Sequence, residues 1–201
     1  MPDEPQDVPP ELDRHPDRLR WNAKYTAQAT SRFRPHPLAE RALTLDLPDG
    51  PVLDLASGPS GTALLAATTG RRVTAVDVSE VALGRLLVEA GRRELNDLID
   101  VDLIDLAAWR PARTYALVIC TGYWDGAVFP KAIEAVAPGG VLAWEAFTED
   151  ARRVRPSLPA RWCLGPDEPA SLLPEWYTVL DQHDLPDEDH GTKRQMLAIS
   201  G

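Results

Sequence analysis

The sequence of 201 residues contains only two cysteines, fewer basic than acidic residues, and no long apolar run. The two cysteines, Cys120 and Cys163, are too few for a disulfide framework or a zinc site. Each is expected to be a small buried side chain in a reducing compartment. Charged or turn residues interrupt every apolar run short of the roughly 20 residues that a membrane helix needs. These absences predict a protein with no metal site and no membrane partner.

The charge balance argues against a nucleic-acid partner. Asp and Glu number 31 against 21 Lys and Arg, which gives a formal net charge of -10. A broad nucleic-acid surface needs a basic stripe instead. The acidic, Pro-rich start of the chain lacks the apolar core of a secretion signal, so we expect a cytoplasmic location. A monomer and a homodimer stay open as alternatives.

Short apolar runs alternate with helical stretches from residue 51 onward, which predicts an α/β fold. Strands are expected at residues 51–55, 72–77, 101–104, 115–120, 141–146, 176–181 and 195–200, with helices between most of them. Parallel strands need crossover connections, and the last two predicted strands are joined by a short acidic turn. The pattern therefore predicts a mostly parallel seven-stranded sheet with helices on both faces and one antiparallel edge strand.

The loop after the first predicted strand carries the strongest functional signal. It runs from Asp54 to Gly61 as Asp-Leu-Ala-Ser-Gly-Pro-Ser-Gly, and its small residues let a ligand approach the backbone closely. The acid at the strand end disfavours a pyrophosphate, because two negative charges would meet, and suits a ligand with an ammonium group. An NAD-dependent oxidoreductase is therefore a disfavoured alternative.

A second acid, Asp77, closes the second predicted strand, one strand-to-strand crossover after the first loop. A carboxylate in this position can accept hydrogen bonds from both hydroxyls of a ribose. Either element alone is a weak signal, since strands often end in Asp as a turn residue. Together they indicate a ligand that contains adenosine.

Residues 50–147 resemble the class I S-adenosylmethionine-dependent methyltransferase superfamily, which implies a Rossmann-like fold. The superfamily's first motif, acid-x-Gly-x-Gly-x-Gly, is matched by Asp54, Ala56, Gly58 and Ser60, so small residues replace two of its glycines. The ribose acid is matched by Asp77. The superfamily also has an acid after its third strand, near the adenine ring, and the resemblance matches it to Asp105. The Ala-Pro-Gly-Gly turn at 137–140 is another recurrent feature of the superfamily.

Shorter motifs are similar to those of small bacterial methyltransferases of the tellurite-resistance and thiopurine type. These motifs are Trp-Asn-Ala-Lys-Tyr at 21–25, Gly-Tyr-Trp at 122–124 and Glu-Ala-Phe-Thr at 145–148. The expected organisation is a flexible acidic tail (1–16) and one domain (17–201). That domain would comprise N-terminal helices that cover the site (17–49), a cofactor-binding core (50–147) and a substrate-side segment with edge strands (148–201).

The resemblance implies S-adenosyl-L-methionine as cofactor and S-adenosyl-L-homocysteine as product. The residues that it places at the cofactor are Asp54, Ala56, Ser57, Gly58, Ser60, Asp77, Val78, Asp105, Leu106 and Thr121. The expected substrate pocket consists of Trp21, Tyr25, His36, Tyr123, Trp124, Glu145 and Trp162. Tyr123 and Tyr25 are the candidate catalytic residues, although packing of these aromatic side chains on the domain is an equally open interpretation.

The acceptor is expected to be a small molecule. The loop after the fourth strand lacks the Asn/Asp-Pro-Pro-Tyr pattern of enzymes that methylate DNA bases or glutamine amides. No residue stands out as a general base, which favours a soft or an already ionised, anionic nucleophile. A protein that binds S-adenosylmethionine without catalysis, as a sensor or interaction module, is the alternative that the altered glycines leave open.

Overall fold

A computed structural model describes residues 8–28 and 32–201. Their strands form one seven-stranded sheet in the order β3-β2-β1-β4-β5-β7-β6. The strands are β1 (Val52–Leu55), β2 (Val73–Asp77), β3 (Ile99–Leu103), β4 (Tyr115–Thr121), β5 (Val136–Phe147), β6 (Tyr177–Leu185) and β7 (Lys193–Ser200). The expected mostly parallel sheet is confirmed. Its antiparallel strand is β7, which lies one position in from the edge strand β6.

The helices of the described residues are short. They are α1 (Pro16–Ala27), α2 (Pro37–Leu43), α3 (Gly61–Thr68), α4 (Glu80–Arg92) and α5 (Phe129–Glu134), with single 3-10 turns elsewhere. Ser79 caps the start of α4, since its hydroxyl accepts a hydrogen bond from the Ala82 backbone N–H at 3.2 Å. Within the described parts of the chain, no helix has the length and apolarity to cross a membrane.

The described residues divide into two compact units. The first contains residues up to His36 together with Val52–Arg110. Its strands β1, β2 and β3 are parallel, and all four residues of β1 are buried. Because parallel strands end at the same edge, the loops after β1 and β2 meet there, and this brings the two expected acidic positions together.

The second unit contains Pro37–Pro51 and Pro111–Gly201. Here β5 pairs in parallel with β4 on one side and antiparallel with β7 on the other. Its core includes an aromatic cluster in which the Phe129 and Trp144 ring centroids lie 5.0 Å apart. The segment between β5 and β6 contains three short 3-10 turns.

The fifth strand begins earlier than the sequence indicates. The Pro-Gly-Gly turn signal lies inside β5, because Val136 already pairs with Tyr115 before the register shifts and Val141 pairs with Leu117. Gly139 has a φ of +72°, a left-handed value that favours glycine. The turn signal therefore marks an irregularity within the strand rather than its start.

The N-terminal segment is structured over part of the range expected to be a flexible tail. Pro10–Leu12 forms a 3-10 turn, and Leu12 is only 1% exposed. Proline at the first position presets the φ angle of the turn, and burial of the leucine anchors it. The expected tail boundary at residue 16 is therefore too late, and residues 1–7 lie outside the described part.

Candidate functional site

Asp54 lies in β1 as a buried carboxylate. It is 3% exposed, and the Ser60 hydroxyl donates to its Oδ2 at 2.5 Å. Burial raises the pKa of Asp54 to about 7, and the hydrogen bond from Ser60 opposes that shift in part. Ser60 also begins α3, since its hydroxyl oxygen accepts from the Ala63 N–H at 2.9 Å. The serine that replaces a motif glycine therefore links the strand acid to the start of a helix.

Asp77 ends β2 and holds two backbone amides. The Gly58 N–H donates to its Oδ2 at 2.8 Å, and the Ser79 N–H donates to its Oδ1 at 2.9 Å. Burial raises the pKa of the Asp77 carboxyl, and these backbone hydrogen bonds oppose the shift. Each carboxylate oxygen has a second lone pair, so the group can accept further hydrogen bonds. The carboxylate thereby fixes the loop after β1 to the loop after β2.

The turn at Gly58 lies directly under Tyr25 of α1. Gly58 has a φ of +57°, and a Cβ atom added there would lie 2.8 Å from the Tyr25 hydroxyl oxygen. Burial, followed by the charge of Asp77, raises the pKa of Tyr25, so that its phenol stays neutral. The structure thus brings Tyr25 to the same loop as Gly58 and Asp77.

Helix α1 is held by contacts that the sequence does not signal. The Arg18 Nε donates to the Glu80 carboxylate at 2.9 Å, and the Ser79 hydroxyl donates to Asn22 Oδ1 at 2.6 Å. Both partners lie at the start of α4, next to Asp77. Trp21 stacks on Tyr25 with ring centroids 5.7 Å apart. These contacts place the expected covering residues of α1 beside the cofactor loop.

The start of α3 is closed on its other side by the segment before α2. A Cβ atom on Gly61 would lie 2.3 Å from the carbonyl carbon of Arg34. The His36 N–H donates to the Thr62 hydroxyl at 3.3 Å. His36, expected in the substrate pocket, is thereby located at the beginning of α3.

The third expected acid, Asp105, has a neighbour from the N-terminal segment. The His15 Nε2 lies 3.5 Å from Asp105 Oδ2, and the Ala107 N–H donates to Asp105 Oδ1 at 3.0 Å. The next residue, Leu106, is buried, and Val78 is half-buried. Their expected adenine contacts stay predictions.

In the second unit, the aromatic residues after β4 pack into the protein. Trp124 is 5% exposed, and its ring centroid lies 5.3 Å from that of Phe129 and 6.1 Å from that of Trp144. The Tyr123 carbonyl accepts a hydrogen bond from Trp144 Nε1 at 3.1 Å. Trp124 therefore packs in the aromatic cluster, and its expected place in the substrate pocket stays a prediction. Trp162 is half-buried beneath Arg161.

Glu145 forms a buried network at the carboxyl end of β5. It is 2% exposed, and its two carboxylate oxygens accept from Lys193 Nζ at 2.7 Å and from Gln195 Nε2 at 2.7 Å. Thr121, the last residue of β4, is its partner in the parallel register. No group of three or more His, Cys, Asp or Glu side chains in the described residues is placed to hold a metal ion.

Comparison with known proteins gives relatives of one kind. No protein-family model matches the chain. The trans-aconitate 2-methyltransferase of Rhizobium meliloti (strain 1021) is 35% identical over 133 residues, covering 62% of this chain and 49% of that protein. A second such protein, from Sinorhizobium medicae (strain WSM419), is 32% identical over the same length. The chain therefore spans about half the length of the curated relatives it matches.

Solved structures share the fold over nearly the whole chain. TehB from Haemophilus influenzae has a TM-score of 0.68 at 19% identity, covering 92% of this chain and 67% of that one. The N-methyltransferase NodS from Bradyrhizobium japonicum WM9, in complex with S-adenosyl-L-homocysteine, has a TM-score of 0.63 at 16% identity, covering 96% and 92%. The chain has the Rossmann-like fold of these methyltransferases. At these identities the structural likeness establishes the fold, and the activity of this chain is a separate proposal.

The first unit brings four of the expected cofactor residues together. Asp54 is hydrogen-bonded to Ser60 and Asp77 to Gly58, both on the loop after β1, and Tyr25 lies over that loop. Sequence reasoning missed the supporting residues of α1 and also Lys193. Their partners lie between 48 and 62 residues away in the chain, so no local motif signals them.

Proposed function

We propose that this chain binds S-adenosyl-L-methionine and transfers its methyl group to a small-molecule acceptor. The observation that carries the proposal is the pair of buried acids, Asp54 and Asp77, each hydrogen-bonded to the same short loop. The curated relatives named as methyltransferases support the reaction type. The cytoplasmic location and the choice between monomer and homodimer stay predictions.

Asp54 suits the ammonium group of the cofactor's methionine part. A buried carboxylate whose pKa is raised to about 7 is stabilised by a cation, since burial disfavours its charge. The small residues Ala56, Ser57 and Ser60 leave room for the amino-acid part along the loop. Ala56 itself has a φ of +51°, so the backbone turns sharply at that point.

Asp77 suits the ribose. Its two oxygens already accept one backbone N–H each, and their remaining lone pairs can accept the two ribose hydroxyls. Asp105, Leu106 and Val78 are the proposed adenine contacts, with Thr121 of β4 as a further cofactor contact. This arrangement uses only residues that the sequence pattern had indicated.

The chain contributes mainly position to the reaction. S-adenosylmethionine supplies a methyl group that is already activated on a sulfonium. Holding two reactants in line can lower a barrier by roughly 7–11 kcal/mol in well-oriented systems. Tyr25, whose phenol is held neutral by burial, is proposed as a hydrogen-bond donor beside the loop rather than as a base. Tyr123 stays the second catalytic candidate.

The acceptor is proposed to be an anion or a soft nucleophile. Such a group attacks without losing a proton to the protein, and the phenol of Tyr25 is not poised to take one. The two relatives are named for methylation of trans-aconitate, which points to a carboxylate acceptor. We therefore propose a small carboxylic acid as the first acceptor class to test.

The experiment combines a binding and a transfer measurement on the full chain. Calorimetric titration should detect S-adenosyl-L-homocysteine and should detect no NAD. Methyl-labelled S-adenosylmethionine is then incubated with trans-aconitate and with thiol and amine panels, and label in the acceptor is counted. Binding without transfer to any acceptor would favour the sensor alternative, and NAD binding in place of S-adenosyl-L-homocysteine would refute the cofactor assignment.

A further inference from the structure

The proposed cofactor site does not account for the buried carboxylate of Glu145. Burial of an ionised carboxylate costs several kcal/mol in lost solvation, and well-placed hydrogen-bond partners are needed to offset that cost. Glu145 has them, since Lys193 donates to one oxygen and Gln195 to the other. These three residues all lie in the second unit, and the position of this network at the end of β5 calls for an explanation.

The network holds the Lys193 ammonium in a defined place. The Lys193 side chain is 34% exposed, whereas that of Glu145 is 2% exposed. An ammonium has three N–H donors, and the contact with Glu145 Oε1 uses one of them. The buried carboxylate therefore fixes the position of the lysine, while part of its head group stays accessible.

A second cation lies on the same aromatic ring as Lys193. Phe147 follows Glu145 by two residues in β5, which places both side chains on one face of the strand. The Lys193 Nζ lies 5.5 Å from the Phe147 ring centroid, and the Arg155 Cζ lies 4.6 Å from it. Two positively charged side chains therefore lie within cation–π distance of one phenyl ring.

The charged residues of this region carry one excess positive charge. The segment 149–155 together with the Glu145–Lys193 pair holds four cations (Arg152, Arg153, Arg155 and Lys193) and three carboxylates (Glu145, Glu149 and Asp150). Asp150 is paired with Arg153 at 3.1 Å and Glu145 with Lys193 at 2.7 Å. This local excess contrasts with the net charge of -10 of the chain.

The position in the sheet favours ligand binding. Glu145 lies opposite Thr121 in the parallel register, near the carboxyl ends of β4 and β5. Open parallel sheets bind their ligands outside the carboxyl ends of the strands. A lysine held by a buried acid at this edge is preorganised to bind an anion. Its side chain is already ordered in the folded protein, so binding costs little further conformational entropy.

We propose that Lys193 and Arg155 bind a carboxylate group of the methyl acceptor, and that Glu145 is the positioning residue that holds Lys193. The acceptor class is a small di- or tricarboxylate, in which one carboxylate anchors the molecule and another part receives the methyl group. The proposal rests on the function proposed above and assigns the anchor point of its substrate. Arg155 supplies a planar donor fork and Lys193 a point charge.

The first test measures binding of trans-aconitate by calorimetry to protein saturated with S-adenosyl-L-homocysteine. Arg155→Gln should weaken binding about 10- to 100-fold, the usual range for loss of a hydrogen bond to a charged group. Arg153→Gln is the matched control, since it removes the same charge two residues away, and it should change affinity less than about twofold. The neutral trimethyl ester should bind wild type and Arg155→Gln equally weakly.

The second test separates positioning from stability. Lys193→Met alone would leave Glu145 buried with one partner and destabilise the fold, so the double variant Lys193→Met/Glu145→Gln is used, which removes both charges together. It should unfold within a few degrees of wild type and yet bind trans-aconitate at least about 10-fold more weakly. Glu145→Gln alone should raise KM for the carboxylate while leaving kcat and KM for S-adenosylmethionine nearly unchanged.

The outcomes distinguish this proposal from the proposed function. Failure of wild type to bind S-adenosyl-L-homocysteine would refute the proposed function. If that ligand binds, the present proposal is overturned when wild type binds no di- or tricarboxylate at millimolar concentration. It is also overturned when Arg155→Gln and the double variant bind trans-aconitate as tightly as wild type does.

Discussion

The backbone N–H of Gly58 donates a hydrogen bond to Oδ2 of Asp77 at 2.8 Å. The proposed ribose acid is therefore also the group that holds the glycine turn in place. The two roles are combined in one carboxylate, and a substitution of Asp77 tests both together.

Asp77→Asn should weaken binding of S-adenosyl-L-homocysteine and lower stability. The asparagine amide has one acceptor oxygen, whereas the carboxylate has two. One backbone N–H therefore loses its acceptor, and the ribose competes with the other backbone N–H for the oxygen that remains. We expect affinity to fall about 10- to 100-fold and the free energy of unfolding to fall by about 1–3 kcal/mol. Calorimetry and urea denaturation measure the two effects. Asp102→Asn, an exposed change on neighbouring β3, is the control, and unchanged affinity in Asp77→Asn would contradict the ribose assignment.

Cofactor affinity should depend on pH through Asp54. Its pKa of about 7 in the ligand-free protein lies above that of the unfolded chain, and an ammonium ligand selects the ionised form. Affinity for S-adenosyl-L-homocysteine should therefore rise with pH up to about 7 and then level off, with a limiting slope of about tenfold per pH unit below it. Calorimetry between pH 5.5 and 8.5, in about half-unit steps, measures this. The same series on Asp54→Asn is the control, and a wild-type profile no steeper than that of the variant would count against the assignment.

Asp54→Asn should also make the ligand-free protein more stable at alkaline pH. A carboxyl whose folded pKa is raised binds its proton more tightly in the native state, so its stabilising contribution is present below the unfolded pKa and is lost as pH rises towards 7. Replacement by an amide removes that loss, which is at most about 4 kcal/mol at 1.4 kcal/mol per pKa unit. Urea denaturation at pH 4 and pH 8 tests the sign. A variant that is less stable than wild type at both pH values would show that contacts within the fold offset the cost of burying the charged Asp54.

Gly58→Ala should impair folding and binding for two separable reasons. The left-handed φ of +57° costs an alanine about 1–2 kcal/mol, and the added Cβ meets the Tyr25 hydroxyl. Tyr25→Phe removes that hydroxyl and keeps the ring, so the double variant should recover the steric part alone. Thermal unfolding and S-adenosyl-L-homocysteine affinity of the four proteins form a double-mutant cycle. Additive effects would mean that Tyr25 does not lie over this turn in solution.

Arg18→Gln should loosen α1 and thereby the cover over the site. The Arg18 pair with Glu80 is partly buried, so its loss should lower stability by about 1–2 kcal/mol. Amide hydrogen exchange should increase selectively within α1. Arg93→Gln, which breaks an exposed pair with Glu89 on α4, should have little effect on either measurement. Equal exchange in α1 for both variants would be evidence that this pair does not hold the helix.

The sequence predicts well where the candidate site residues at the ends of strands lie in the fold. Asp54, Gly58 and Asp77 were indicated by hydrophobic runs that stop at an acid and by small residues between them, and these signals are local. Trp124 shows the limit of this reasoning, since a tryptophan after a strand reads alike whether it lines a pocket or joins a core. The side on which it packs is decided by Phe129 and Trp144, which belong to other elements.

Supporting contacts were out of reach for the same reason. Arg18 and Glu80 are 62 residues apart, and Glu145 and Lys193 are 48 apart. Each of these charged residues has an ordinary solvent-exposed interpretation in the sequence, and only the folded chain shows which one is buried. The start of β5 was misplaced because a Pro-Gly-Gly signal marks a bend without saying whether the strand resumes on either side of it.

Gly61, the first residue of α3, shows that a position beside a binding motif can be fixed by packing rather than by the ligand. The space beside its Cα is filled by the backbone of Arg34, 2.3 Å from where a Cβ would be. A saturation library at this position, sorted only for folded protein with no cofactor supplied, should return glycine. Two segments of the chain cross at this glycine, and their close approach leaves no room for a larger residue.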